Sequence, residues 1–182
     1  MVEVHPNVEY VMLTNQQISR RVKAVAKQLD KLYEGRKPVV VCILKGSVVF
    51  FSDLIRNMKT PLTIDFMAVS SYGSGTKSTG ELKIKKDLVT DIAGRDVLIV
   101  EDILDSGVTL SNLIRMLEER RPNSIEVCTL LDKPERRAAH VYAKYIGLRV
   151  PDAFVVGYGL DFDEKYRNLP FVGILKPEVY EN

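Results

Sequence analysis

The feature that most constrains this 182-residue chain is a series of short runs with apolar side chains at consecutive positions. "PVVVCIL" (38–44) and "DVLIV" (96–100) are the clearest, and "SIEVCTLL" (124–131) is a third. Successive side chains of a strand point to opposite faces, so a strand wetted on one side alternates apolar and polar. A run apolar on both faces is covered on both faces, as in parallel sheets joined by helical crossovers. The intervening segments supply the helices. Thr14 to Gln17 form a capping-box pattern, and Ile18, Val22, Val25, Ala26, Leu29 and Tyr33 follow at helical spacing until Gly35 stops them. A second helix is expected over 47–58, and Leu110, Leu113, Ile114 and Leu117 make a third stripe. "LTIDFMAVS" (62–70) and "AFVVGYG" (153–159) read as further strands. With no internal repeat or low-complexity linker, one α/β domain over 1–182 is predicted, its central sheet largely parallel and flanked by helices. Ligands of such sheets sit outside the carboxyl ends of the strands.

Composition narrows the function. Lys and Arg number 26 against 24 Asp and Glu, a net charge of +2, so no broad basic field exists for gripping nucleic acid. The two cysteines, Cys42 and Cys128, lie inside apolar runs and read as buried free thiols of a reducing compartment. The two histidines, His5 and His140, lack zinc-ligand spacing. No signal peptide and no membrane-spanning apolar run is evident, so a cytoplasmic protein with no membrane or nucleic-acid partner is expected.

The stretch "VLIVEDILDSGVTL" (97–110) is where a buried strand turns chemical. Four apolar residues lead into Glu101 and Asp102, and Asp105 follows beside Ser106-Gly107-Val108-Thr109. Gly107 permits a tight or left-handed turn, and amide groups around 106–109 would then open the next helix as an anion cradle suited to a phosphate monoester. The alternative is that Ser106 or Thr109 merely caps that helix. Carboxylates beside a phosphate repel it unless a cation or a polyhydroxyl group lies between. A phosphorylated sugar meets that condition, with Mg²⁺ or ribose hydroxyls at the acids. The glycine-rich stretch "SSYGSGTKSTG" (70–80) fits neither nucleotide fingerprint. Thr76 stands where the P-loop pattern needs glycine, and Ser78 where the dinucleotide pattern does.

The order of four apolar residues, "ED", two apolar residues, "D" and "SGVT" resembles the phosphoribosyl-pyrophosphate motif of the type I phosphoribosyltransferases. Over about 13–175 the chain resembles the bacterial hypoxanthine-guanine branch of that family. The resemblance implies the type I fold with a small hood region. It also implies Mg²⁺-dependent transfer of phosphoribosyl from phosphoribosyl pyrophosphate to a 6-oxopurine, and a homodimer or homotetramer. By it, Glu101 and Asp102 face the ribose and its metal, while Ser106, Gly107, Val108 and Thr109 hold the 5′-phosphate. Asp105 is the general base. In "LKG" (44–46), Lys45 and the Gly46 N–H hold pyrophosphate, a loop often preceded in the family by a strained peptide bond. Arg167 binds pyrophosphate too, and Ser71 and Tyr72 close over it as part of a lid. Lys133 donates to the 6-keto oxygen, Phe154 stacks on the purine, and Val155 offers backbone groups to the base edge. Asp161 holds a second Mg²⁺ or its water. Taken without the resemblance, Phe154 reads as core, and Asp161 and Arg167 read as surface charges. A related fold also serves in RNA-binding transcription attenuators, against which Asp105, Lys133 and Phe154 together argue. The failed P-loop pattern argues against a nucleoside kinase.

Overall fold

The structure is a computed structural model and describes residues 4–71 and 82–181. In chain order the elements are β1 (Val8–Leu13), α1 (Asn15–Leu32), β2 (Val39–Leu44), α2 (Val48–Asn57), β3 (Thr63–Ser71) and β4 (Leu82–Lys86). There follow β5 (Asp96–Leu104), α3 (Val108–Glu118), β6 (Ser124–Asp132), a single 3₁₀ turn (Pro134–Arg136), β7 (Tyr145–Arg149), β8 (Val155–Val156), β9 (Val172–Leu175) and α4 (Pro177–Tyr180). The central sheet has the order β4-β3-β2-β5-β6-β7. Its strands are parallel except β4, which pairs antiparallel with β3.

The unbroken apolar runs are explained by what covers them. On β2, Val40 and Cys42 pack with Ile18, Val22 and Leu29 of α1 and Phe50 and Leu54 of α2. Val39, Val41 and Ile43 point the other way, onto Leu110, Leu113 and Leu117 of α3. Helix α1 begins as its sequence predicts. The Thr14 N–H donates to Gln17 Oε1 at 2.8 Å, and the Gln17 N–H donates to Thr14 Oγ1 at 3.3 Å.

Two expectations change. The strand expected over 96–100 runs on to Leu104, because β5 keeps pairing with β6 through Glu101↔Thr129 and Leu104↔Asp132. Glu101 and Asp102 therefore sit inside a strand and not beyond it. The strand expected over 153–159 shrinks to Val155–Val156 and leaves the main sheet. Gly157, Tyr158 and Gly159 all take positive φ there, which no strand can continue through. Together β1, β9 and β8 make a separate antiparallel sheet, a hood with its own cluster of Val8, Val156, Tyr166, Phe171 and Leu175.

From β2 the chain crosses to β3 on one side and later returns to β5 on the other. The crossovers thus diverge at the β2–β5 boundary, where a crevice opens at the strand ends. The hood is held over that crevice by close backbone approach. Gly159 has φ +102°, and a β-carbon there would stand 2.0 Å from the Gly46 carbonyl oxygen. The Tyr158 hydroxyl donates to Asp53 of α2, and Arg167 Nη1 donates to the Gly159 carbonyl at 2.8 Å.

Gly159→Ala is expected to combine a backbone penalty with a collision against main chain, destabilising by about 1–3 kcal/mol or more. Thermal unfolding should register this at about 2–4 °C per kcal/mol. Gly94→Ala is the comparison, since Gly94 also has positive φ but nothing within 4 Å of an added β-carbon. Equal losses in the two variants would mean that the hood does not depend on this approach.

Candidate active site

Three strand ends and the hood bring the predicted residues together. At the end of β2 the Leu44–Lys45 peptide is cis, and Gly46 lies flush against β5. A β-carbon on Gly46 would stand 1.7 Å from Asp102 Oδ2, so with any other residue either the loop or the Asp102 carboxylate must give way. Asp102 Oδ1 accepts from the Ile103 N–H at 2.8 Å. Glu101, one residue earlier, belongs to the opposite face.

Two neighbouring cavities record that split. One, of about 120 Å³, is lined by Glu101, Ile103 to Gly107, Thr109 and Leu110. Gly107 (φ +77°) is the N-cap of α3, and no side chain caps the helix there. Capping by Ser106 or Thr109 is thus not what this turn is for. The first amides of α3 have no intrahelical acceptor, and they open beside this cavity. The other cavity, of about 250 Å³, is lined by Asp102, Ile103, Asp105, Lys133, Arg136, Phe154, Val155, Leu160 and Asp161. Ile103 and Asp105 line both. A broader cleft of about 800 Å³ lies at the opposite end of the sheet, among Asp30, Lys37, Lys59 and Pro61. Its Asp30 carboxylate is already taken by the Lys59 and Thr60 amides and the Thr60 hydroxyl.

In the larger cavity, Lys133 is 6% exposed although charged, and its nearest acid is Asp152 at 3.7 Å. Phe154 stacks on Tyr180 of α4 at 4.9 Å and meets the edge of Phe162 at 5.4 Å, so its ring is held rigidly at the cavity wall. Val155 lies in β8, the edge strand of the hood. Among the described residues Asp105 Oδ1 is buried without a hydrogen-bond partner, and Arg136 Nε stands 3.6 Å away. Arg167 pairs with Asp161 at 2.9 Å, and Asp161 Oδ2 accepts the Glu164 N–H. Ser71 ends β3, whereas Tyr72 and the remainder of the expected lid lie outside the described residues.

Sequence reasoning missed Glu164, Arg136 and Asp152. Glu164 bridges two predicted pyrophosphate ligands, accepting from Lys45 Nζ at 3.1 Å on each oxygen and from Arg167 Nη2 at 3.3 Å. Arg136 lies between Asp105 and Asp152. The only sequence signal was adjacency: Glu164 stands between Asp161 and Arg167, and Arg136 three residues after Lys133.

Burial and the neighbouring Asp102 hold the Glu101 carboxyl well above the usual range. Burial pushes Asp102 up to about 6, against the pull of the Ile103 amide and Arg167. Among the described residues neither acid has a cationic side chain within ion-pair distance. Two partly buried acids lacking a counter-charge, on opposite faces of β5, each offer a carboxylate to a hard divalent cation. No three His, Cys, Asp or Glu side chains among the described residues cluster tightly enough to hold a metal by themselves. Magnesium takes one or two carboxylates and completes its shell with water and substrate phosphate oxygens.

Residues 11–163 match the family model of the phosphoribosyl transferase domain. The chain belongs to that family. The hypoxanthine-guanine phosphoribosyltransferase of Staphylococcus aureus (strain Mu50) is 54% identical over 98% of this chain and 100% of its own length. The Bacillus subtilis (strain 168) enzyme of the same name is 50% identical over 97% of this chain and 98% of its own. A crystal structure of a hypoxanthine phosphoribosyltransferase from S. aureus superposes with a TM-score of 0.95 at 54% identity, covering 98% of this chain and 97% of that one. The expected type I phosphoribosyltransferase fold, α/β with a mostly parallel central sheet, is therefore established. No helix among the described residues is long and apolar enough to cross a membrane.

The raised Asp102 carboxyl makes this phosphoribosyltransferase domain pH-sensitive in a defined direction. Its value moves from 3.8 to about 6 on folding, so the folded protein holds that proton more tightly than the unfolded chain does. The associated stability is present below about pH 4, is lost as pH rises toward 6, and is absent above it. In protein stripped of divalent cations, Asp102→Asn should raise the unfolding midpoint at pH 7.5 by an amount equivalent to about 1–3 kcal/mol. The gain should vanish near pH 4. A melting curve series showing the same difference at both pH values would remove Asp102 as its source.

Proposed function

We propose that this domain transfers the phosphoribosyl group of phosphoribosyl pyrophosphate to a ring nitrogen of hypoxanthine or guanine, releasing pyrophosphate. The single observation that carries the reading is the pair of cavities meeting at Asp105. A sugar phosphate in the amide-lined cavity and a base against Lys133 and Phe154 would place the new bond between them. The 54% identical relative bears the corresponding name.

In this mechanism the C1′–oxygen bond to pyrophosphate breaks with its electron pair leaving on the pyrophosphate, and a purine nitrogen bonds to C1′. Charge accumulates on the leaving group, so preorganised donors aimed there lower the barrier most. Lys45, Arg167 and the Gly46 N–H take that role, with Glu164 giving up Lys45 and Arg167 as the diphosphate arrives. The purine proton passes to Asp105, whose buried Oδ1 has no hydrogen-bond donor of its own. Glu101 and Asp102 orient the ribose hydroxyls and, with Asp161, would hold Mg²⁺. When bound, Mg²⁺ supplies neutralisation of phosphate charge. Val155 backbone groups would read the base edge. An absorbance assay with phosphoribosyl pyrophosphate, Mg²⁺ and each of five nucleobases tests the reading. It fails if neither hypoxanthine nor guanine is consumed.

Asp105→Asn keeps shape and hydrogen bonding while removing the base. Turnover with guanine should fall by roughly 10²–10⁴-fold, while phosphoribosyl pyrophosphate affinity changes little. Near-normal turnover in steady-state kinetics would exclude Asp105 as the proton acceptor.

Lys133 should decide between 6-keto and 6-amino purines. An ammonium offers three donors and no acceptor, so it satisfies a keto oxygen and leaves an amino group unpaired. That mismatch in a dry site costs on the order of 1–3 kcal/mol, or roughly tenfold to more than a hundredfold in kcat/KM. Lys133→Ala is expected to erode activity on guanine far more than on adenine. An unchanged guanine-to-adenine ratio would reduce Lys133 to a strand-end charge.

A further inference from the structure

The segment that follows β6 does more than deliver Lys133 to the base cavity. It also grips the reverse side of the turn between β5 and α3, at three consecutive carbonyls. The Leu104 carbonyl accepts from the Lys133 N–H at 2.9 Å and from Arg137 Nη2 at 3.2 Å. The Asp105 carbonyl accepts from Arg137 Nε at 3.0 Å. The Ser106 carbonyl accepts from the Ala138 and Ala139 amides at 2.9 and 3.2 Å. Arg137 Nη1 reaches on to the Val141 carbonyl at 2.8 Å, and Asp132, itself buried, balances the guanidinium charge.

The consequence follows from peptide geometry. In a planar trans peptide the carbonyl of one residue and the N–H of the next point in opposite directions. Carbonyls of Leu104, Asp105 and Ser106 drawn toward Arg137 and its neighbours turn the amides of Asp105, Ser106 and Gly107 away from them. Those residues line the small cavity. The turn also lies against this support without slack. A β-carbon on Gly107 would meet Val141 Cγ1 at 2.5 Å and Arg137 Cδ at 3.1 Å.

We propose that Arg137 is a positioning residue for the 5′-phosphate. Its guanidinium fork binds two consecutive carbonyls of the turn from behind and so aims the turn's amides into the cavity where the phosphate binds. The inference rests on the reading of that turn as a phosphate site. Arg137 touches no reacting atom, which distinguishes it from Arg136 beside it. Lysine cannot replace it, because a single ammonium lacks the planar, spaced donors that span the Leu104, Asp105 and Val141 carbonyls together.

The test compares guanosine 5′-monophosphate with guanosine by calorimetry on the intact protein, for wild type, Arg137→Lys, Arg137→Met and Arg149→Gln. Arg149 also faces Asp132, at 3.7 Å, but its side chain is exposed and, among the described residues, makes no hydrogen bond to the turn. In both Arg137 variants the nucleotide should bind roughly tenfold to a hundredfold more weakly, by analogy with the loss of outer-shell partners at other preorganised sites. Guanosine affinity should hold, and Arg149→Gln should change neither. Should Arg137→Met fail to fold, Arg137→Lys carries the test, with its melting curve confirming the native state. Equal losses for nucleotide and nucleoside would overturn the inference, since they mark general structural support. An unchanged nucleotide affinity would overturn it as well. A wild type that does not prefer the nucleotide over the nucleoside would instead sink the phosphate-site reading, and this inference with it.

Discussion

The structure depends on how β2 and β5 part company. Their ladder runs from Val39↔Val97 to Cys42↔Val100 and stops, while β5 continues along β6 as far as Leu104↔Asp132. The gap this leaves beside Asp102 is filled by the backbone of Gly46, which has no side chain to keep it out. Gly159 of the hood then closes down on the Gly46 carbonyl. Main chain from three distant parts of the sequence meets around one carboxylate, and the two cavities lie on either side of that junction. A side chain at Gly159 would meet main chain and open the junction, and one at Gly46 would displace the Asp102 carboxylate or the loop.

Electrostatics at this junction run against stability. Glu101 and Asp102 are consecutive, partly buried acids on opposite faces of β5, and desolvation raises both carboxyls, an arrangement that packing elsewhere must support. The cations are distributed differently. Lys45 and Arg167 share Glu164 at an exposed position, where an ion pair contributes little and is easily exchanged. The acids therefore lack a cationic partner, whereas Lys45 is held by a replaceable anion that Arg167 shares while it also pairs with Asp161. Such a site suits the proposed reaction, whose substrate would bring a diphosphate together with a metal.

The motif "VLIVEDILDSGVTL" was legible because its chemistry is local: a buried strand, acids at its end and a glycine turn are neighbours in sequence. The parallel sheet was legible from runs such as "PVVVCIL", whose two faces are both covered. The hood was not. "AFVVGYG" has the composition of a core strand, and only the left-handed backbone at 157–159 shows that it turns away. β1, β7 and β9 were also unread, being short strands whose pairing partners lie far away in sequence or whose pattern is mixed. Glu164 meets Lys45 across 119 positions, and Arg137 reaches Asp105 across 32. No periodicity carries information over such spans.

By itself, then, the sequence determined the class of fold and the strand that carries the acids, while Lys133, Phe154, Asp161 and Arg167 were singled out only by family resemblance. The first two follow from side-chain alternation and from turn residues acting over a few positions. The tertiary structure alone decided that the acids lie within a strand, that Asp105 borders two cavities, and that Lys45 and Arg167 converge on one carboxylate. It also decided that the turn between β5 and α3 is gripped from behind by Arg137. Those outcomes depend on strand order and on how closely backbones approach one another. Both are set by the packing of the whole chain, because no short stretch encodes which distant segment will lie beside it.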